Sequence, residues 1–302
     1  MKAAAIDLGT NAFRLLIKDI KNSNTETFRY REIVGLGKYL SNNNLELPKI
    51  YYSSLERIFE YIKKYNVKKV YTVGTSVFRE SDNKSFVIND FKIKFNHDLN
   101  IIDSETEAEL TTLGVMSSID NIKDNKILID IGGGSTEIIF VNKNKFIFYD
   151  SLNIGVIKLL NLYNTTEIFS DNLISEIKIK IRNFLNKNIN HRFRELKNFK
   201  LIFNAGTPAT IASIFYKLNK FDRDKINGCN LGYDFSKKTL NKLYGLSSKE
   251  RLKIPGIEVG REQVIVYGIL ILLEFLDFFK IDKYSVSNSG VLEGIFKKYI
   301  EI

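Results

Sequence analysis

The sequence carries the same strand-and-loop signature twice. Asp7-Leu8-Gly9-Thr10-Asn11 follows the apolar run at 3–6, and Asp130-Ile131-Gly132-Gly133-Gly134-Ser135-Thr136-Glu137 follows the apolar run at 127–129. Each places an Asp at the end of a buried strand, then a glycine-containing turn with hydroxyl residues, then a second apolar run. An Asp beside backbone amides free to take unusual φ/ψ values is a way to hold a metal–phosphate group. One such loop in each half predicts two related lobes gripping one phosphate chain.

The surrounding pattern repeats with the loops. Strands are expected at 3–7, 13–20 and 27–34, with polar breaks at 9–11 and 21–25. A helix is expected over 48–65, with Leu55, Ile58, Phe59 and Ile62 on one face and Pro48 in its first turn. A strand at 70–74, a polar turn at 81–84, a strand at 99–102 and a helix at 105–118 follow. The order restarts with strands at 126–130, 135–141 and 145–152 and helices at 155–163 and 171–188. In the last of these, Ile177, Ile179 and Ile181 alternate with charges at strand period, which competes with the helical reading. A strand at 201–205, a helix from Gly206 through Tyr216, a long apolar helix at 260–279, a strand at 284–287 and a closing helix at 290–299 complete the chain. Two βββαβα-like halves joined near residue 123 make an α/β protein. The expected domains are 1–123 and 124–287, with the terminal helix at 288–302 returning to the first lobe.

Composition narrows the chemistry. At 302 residues, 44% hydrophobic and 26% charged, the chain has core enough for two ordinary domains. No apolar run reaches the ~20 residues of a membrane span, and the opening residues, with Asp7 so early, do not read as a signal peptide. Cys229 is the single cysteine, so no internal disulfide is expected and a reducing, cytoplasmic setting fits. With only His97 and His191 present, a metal here is expected to be oxygen-ligated, as Mg²⁺ or Mn²⁺. The net charge of +10 suits a polyanionic ligand, although a general richness in Lys accounts for it equally well. Lys178, Lys180 and Arg182 would spread around a helix rather than form one patch, and nucleic acid is not expected as a partner.

Each motif has a functional and an ordinary reading. Three consecutive glycines at 132–134 exceed what a tight hairpin needs, and each costs roughly 0.5–1 kcal/mol in extra chain entropy. A phosphate role for Gly132, Gly133, Gly134, Ser135 and Thr136 therefore outweighs a plain turn. Arg14 follows the first loop at a spacing that would aim a guanidinium back at a phosphate, or it is an ordinary surface arginine. Arg79, just past Gly74-Thr75-Ser76, suits bidentate phosphate contact, or it pairs locally with Glu80 or Asp82. Glu105, Glu107 and Glu109 cluster at a helix start, where the macrodipole alone favours carboxylates. One of them could be a general base, and spacing does not choose among them. Gly206-Thr207-Pro208 offers another amide cluster for an anion, or an N-cap by Thr207 with Pro208 at the first helical position.

Taken in order, these segments resemble the exopolyphosphatase / guanosine pentaphosphate phosphatase (Ppx/GppA) family, of the short, two-domain type. The match runs through residues 4–17 (AAIDLGTNAFRLLI), 74–79 (GTSVFR), 107–110 (EAEL) before Gly114-Val115, and the loop at 130–137. It continues through 154–159 (IGVIKL), Ala205-Gly206-Thr207, and Pro255-Gly256 before Arg261. The resemblance implies two actin-like, ribonuclease H-like lobes of the sugar-kinase, heat-shock ATPase and actin superfamily. It implies Mg²⁺-dependent hydrolysis of a terminal phosphate from inorganic polyphosphate or pppGpp, with a homodimer allowed. By that resemblance Glu107 activates water, Asp7, Asp130 and Glu137 position the metal, and Gly9, Thr10, Asn11, Arg14, Arg79, Gly206, Thr207 and the 132–136 loop hold phosphate.

The chain departs from the family pattern in places. Asp103-Ser104 stands where a Ser-Gly pair is expected, Ala12 replaces a hydroxyl residue, and Asn288 and Leu292 stand where Asp and Arg are expected. These departures bear on turnover and substrate choice more than on binding. Two further readings share the loops: an ATP-dependent kinase or actin-like ATPase, disfavoured by the Glu107 and Arg79 segments, and a weakly catalytic sensor of (p)ppGpp or polyphosphate.

Overall fold

The structure is a computed structural model that describes residues 1–21, 25–119 and 124–301. The expected junction at 123, and part of the break at 21–25, lie outside the described residues. The chain divides into two compact units, Met1–Ser117 with Gly290–Ile302, and Ser118–Ser289.

The first unit begins with strands β1 (Lys2–Leu8), β2 (Ala12–Asp19) and β3 (Thr25–Ile33), then a small ribbon of β4 (Leu40–Ser41) and β5 (Asn44–Leu45). Helix α1 (Lys49–Lys64), strand β6 (Lys69–Gly74), helices α2 (Ser76–Arg79) and α3 (Lys84–Phe95), strand β7 (Asn100–Ile101) and helix α4 (Ser104–Met116) follow. Its sheet runs β3-β2-β1-β6-β7, with the first three strands antiparallel and β6 and β7 parallel to β1.

The second unit repeats the plan with β8 (Asn125–Ile131), β9 (Thr136–Asn142) and β10 (Lys145–Leu152), then α5 (Val156–Tyr163), α6 (Asp171–Asn188) and α7 (His191–Arg194). Strand β11 (Phe199–Asn204), helices α8 (Gly206–Phe215) and α9 (Arg223–Ile226) and strand β12 (Asn230–Gly232) come next. Helices α10 (Tyr233–Tyr244), α11 (Ser248–Arg251) and α12 (Ile265–Phe279) lead to β13 (Lys283–Val286). Its sheet runs β10-β9-β8-β11-β13-β12 with the same senses and one added antiparallel edge strand. The two sheets thus share one plan, three antiparallel strands followed by parallel ones. Helix α13 (Val291–Ile295) and a π-helical turn at Phe296–Ile300 then pack in the first unit.

Strand β1 explains how the first unit is layered. Successive side chains on a strand point to opposite faces. Ala4, Ile6 and Leu8 join the core that includes Tyr51, Leu55 and Ile58 of α1, whereas Ala3 and Ala5 join Leu110 of α4 and Val291, Leu292 and Ile295 of α13. Both faces are thus covered, which is why β1 reads as an unbroken apolar run. Each fully buried large aliphatic side chain contributes about 1.5–3 kcal/mol.

Several boundaries differ from expectation. Pro48 is the N-cap of α1 rather than a residue of its first turn. The stretch at 171–188 is helical as expected, because Ile174, Ile177, Ile181 and Leu185 are buried at helical spacing while Ile179 is 56% exposed. Helix α3 has no counterpart in the sequence reading: Val87 and Phe91 are buried but Phe86, Ile88 and Ile93 are exposed, so its apolar residues give no single stripe. Helix α12 begins at Ile265 rather than 260, after turns in which Gly256 (φ 99°) and Gly260 (φ 83°) take left-handed backbone. Helices α10 and α11 and strand β12 likewise have no counterpart in the sequence pattern. No helix among the described residues is long and apolar enough to cross a membrane.

Candidate functional site

In the first unit, the predicted residues gather at the carboxyl ends of β1 and β6, where open α/β sheets commonly bind ligands. The β1–β2 register sets Asp7 opposite Arg14, and Arg14 Nη1 lies 3.3 Å from the buried Asp7 Oδ2. The intervening loop is pinned by its own backbone. Gly9 N donates to Ala12 O, Gly37 N to Thr10 O, and Val34 N and Gly35 N both to Asn11 O. Asn11 is buried, and its Nδ2 has no hydrogen-bond partner among the described residues. An unmet buried amide donor costs about 1–3 kcal/mol.

Arg79 ends the short helix α2. Its Nη1 donates to Glu107 Oε2 at 2.6 Å and to Ile102 O at 3.2 Å. The local alternative for Arg79 does not hold: Glu80 Oε1 accepts from Ser76 Oγ, and Arg79 reaches across to α4. Both side chains of the pair are mostly buried, at 17% and 15% exposure. Glu109 pairs with Lys298 and Glu105 is exposed, so the three carboxylates have three different surroundings. The Asp103-Ser104 departure has a local role: the Asp103 carboxylate accepts from Thr106 N at 2.7 Å and caps α4. That bond holds the Asp103 carboxyl below the usual carboxylate range.

In the second unit, Asp130 and Glu137 are cross-strand partners on β8 and β9. Asp130 Oδ2 accepts from Asn204 Nδ2 at 2.7 Å, and the buried Glu137 accepts from Ser151 Oγ at 3.0 Å. The glycine loop closes on itself through Gly132 N to Ser135 O. Its carbonyls also take the first donors of α5, with Val156 N on Gly132 O and Ile157 N on Gly133 O. A Cβ at Gly155 would lie 2.4 Å from Gly133 O, so the approach requires glycine. The Thr136 hydroxyl is fully buried and donates to Ile154 O at 2.7 Å, which ties the loop to the start of α5.

The Gly206 turn differs from its ordinary reading. The N-cap of α8 is Ala205, not Thr207, which leaves Pro208 as the third helical residue. Ala205 sits at φ 76°, ψ −160°, a region nearly confined to glycine that costs about 1–3 kcal/mol. The Arg261 guanidinium lies flat on Gly206, where a Cβ would come within 2.1 Å of it. Thr207 turns its side chain against Gly268 of α12. The sequence pattern assigns no part to Asn204 or Ser151. The signal available for Asn204 was a polar residue ending an apolar strand, as Asp7 and Asp130 do. Of the remaining departures, Leu292 is packed in the core and Asn288 N donates to Asn227 Oδ1.

Asp130 and Glu137 fit a hard divalent cation. They bring two carboxylates to one pair of opposed strand positions, and Mg²⁺ is commonly held by one or two carboxylates plus phosphate oxygens and water. No cluster of three or more His, Cys, Asp or Glu side chains able to hold a metal occurs among the described residues.

Residues 16–301 match the model of the Ppx/GppA phosphatase family. The chain is 33% identical, over 99% of its length and 46% of the relative's, to a bifunctional 3-dehydroquinate synthase/phosphatase of Fusobacterium nucleatum. It is 26% identical to a guanosine-5'-triphosphate,3'-diphosphate pyrophosphatase of Pseudoalteromonas translucida, over 97% of this chain and 58% of that one. It therefore spans about half the length of these two relatives. The crystal structure of an exopolyphosphatase from Cytophaga hutchinsonii superposes with a TM-score of 0.88 at 25% identity, covering 100% of this chain and 98% of the other. The chain belongs to the Ppx/GppA phosphatase family.

Proposed function

We propose that the protein hydrolyses the terminal phosphoanhydride bond of inorganic polyphosphate or of pppGpp. The observation that carries this reading is the Arg79–Glu107 pair beyond the end of β6, with the unmet Asn11 donor on the loop after the neighbouring strand β1. Glu107 takes a proton from water as the water oxygen attacks the terminal phosphorus. The bridging P–O bond breaks, and the shortened chain leaves with the electron pair. Phosphoryl transfer asks mainly for positioning and charge neutralisation. Arg79 shifts from Glu107 toward the phosphoryl oxygens, leaving the carboxylate to act as base. Asn11 donates to a phosphate oxygen beside this pair.

Asp130 and Glu137 would hold Mg²⁺, or Mn²⁺ in its place. The ion supplies charge neutralisation to phosphate oxygens when bound. Polyphosphate and guanosine substrates fit the names of the relatives, and a cytoplasmic setting and a homodimer are compatible with this reading.

The test is phosphate release from long-chain polyphosphate, pppGpp and ATP, with and without Mg²⁺. Release from polyphosphate or pppGpp that is lost in Glu107→Gln is expected. Release from ATP alone would favour the kinase or ATPase reading, and binding without release would favour a sensor. Wild-type turnover in Glu107→Gln would remove the proposed base.

A further inference from the structure

Helix α4, which carries Glu107, lies main chain to main chain against α13. A Cβ at Gly114 would stand 2.0 Å from the carbonyl oxygen of Gly290, and a Cβ at Gly294 would stand 2.0 Å from the carbonyl oxygen of Leu110. Both obstacles are backbone, which cannot swing aside as a flexible side chain would. Leu110 and Gly114 follow Glu107 at i+3 and i+7, so both contacts fall on the helical stripe that bears the carboxylate.

The opposing segment is itself fixed. Glu293 Oε2 accepts from Gly290 N at 2.8 Å and its Oε1 takes Arg29 Nη2 at 2.5 Å, while Lys298 pairs with Glu109 farther along. Helix α4 is therefore held at several heights by one short stretch of chain. A methyl at either glycine would drive the helices apart by about 1 Å, and a misplacement of that size can cost roughly 100-fold in rate.

We propose that Gly114 and Gly294 are positioning residues for Glu107. They set how closely α4 approaches α13, and through it where the carboxylate stands relative to Arg79. This rests on the reading of Glu107 as the base.

The test compares wild type with Gly294→Ala, Gly114→Ala, Glu107→Gln and Leu240→Ala, the last a buried core truncation in the other unit. Steady-state phosphate release from polyphosphate and pppGpp, melting temperature, and crystal structures of wild type and Gly294→Ala are measured. In the glycine variants kcat is expected to fall roughly 10- to 100-fold with KM nearly unchanged. In the crystal the Arg79–Glu107 contact is expected to lengthen. Leu240→Ala is expected to lower the melting temperature as much or more while kcat at the assay temperature holds.

Glycine variants with wild-type kcat, an unmoved α4, or a loss matched by Leu240→Ala would overturn the proposal. If Glu107→Gln keeps its turnover, the base assignment falls instead, and the displacement of α4 in the crystal decides the positioning alone. Should neither glycine variant fold, Glu293→Gln loosens the same segment without added bulk. It is then expected to lower kcat several-fold, and unchanged kcat would overturn the proposal.

Discussion

Arg79 and Glu107 stand 28 residues apart in the chain and meet at 2.6 Å, with the same Arg79 nitrogen also donating to the carbonyl of Ile102. The carbonyl fixes the guanidinium against the chain leading into α4, so the ion pair has a defined direction. Arg79→Ala leaves a mostly buried carboxylate without this partner and removes the proposed phosphate contact. Phosphate release is expected to fall by about 100-fold or more, with Arg79→Lys recovering only part, because a lysine cannot reproduce the fork. Steady-state kinetics on polyphosphate and pppGpp check this.

A chelator is expected to abolish turnover, and Mg²⁺ to restore it. Asp130→Asn and Glu137→Gln each remove one carboxylate from the cross-strand pair. Both are expected to raise the Mg²⁺ concentration for half-maximal rate by roughly 10-fold or more. A magnesium titration of each variant, with the melting temperature as a control, reads the effect.

Asp103 links stability to pH. Its carboxyl is held low chiefly by the N–H of Thr106, so its contribution is present above the ordinary carboxylate range and lost as the pH falls through its lowered folded-state value. Asp103→Ala is expected to cost about 1 kcal/mol at neutral pH, as for other lost N-caps. The gap from wild type should close as the solution is acidified. Denaturant unfolding at several pH values measures it.

Arg251 is fully buried and donates to the carbonyls of Leu243, Thr166, Glu262 and Glu167. Its guanidinium also lies 5.3 Å over the ring of Phe169. It therefore ties α11 to the end of α10, the turn before α6, and the approach to α12. Arg251→Met fills the volume but leaves those carbonyls unmet, and a loss of about 3 kcal/mol or more is expected. Thermal and urea unfolding test this.

The legible features were those written in local periodicity. The two Asp-Gly loops announced themselves because strand, turn and strand follow within a few residues, and the β1–β2 and β8–β9 pairings are hairpin neighbours. Helix α1 was legible because Leu55, Ile58 and Ile62 fall on one buried stripe. Helix α3 was not, since its apolar residues point both inward and outward.

The candidate residues could be picked out from the sequence, but their pairings could not. Residue spacing does not separate Glu107 from Glu105 and Glu109, because what distinguishes it is an arginine brought in from α2. Arg261 on Gly206 and Asn204 beside Asp130 are likewise tertiary meetings, made by segments far apart in the chain. The bent backbone at Ala205 gave no sign either, since alanine is not a residue that announces a left-handed turn.

The small residues of β1 have a consequence for the thickness of the first unit. On the face toward α1 the strand presents Ala4, Ile6 and Leu8, but its apolar residues toward α4 and α13 are Ala3 and Ala5. With methyl groups as the floor, the helices above can settle low enough for their backbones to touch. A valine at either alanine would lift that floor, and the carboxylate of Glu107 with it. The reach of the proposed base is thus governed partly from beneath, by two side chains too small to carry any chemistry of their own.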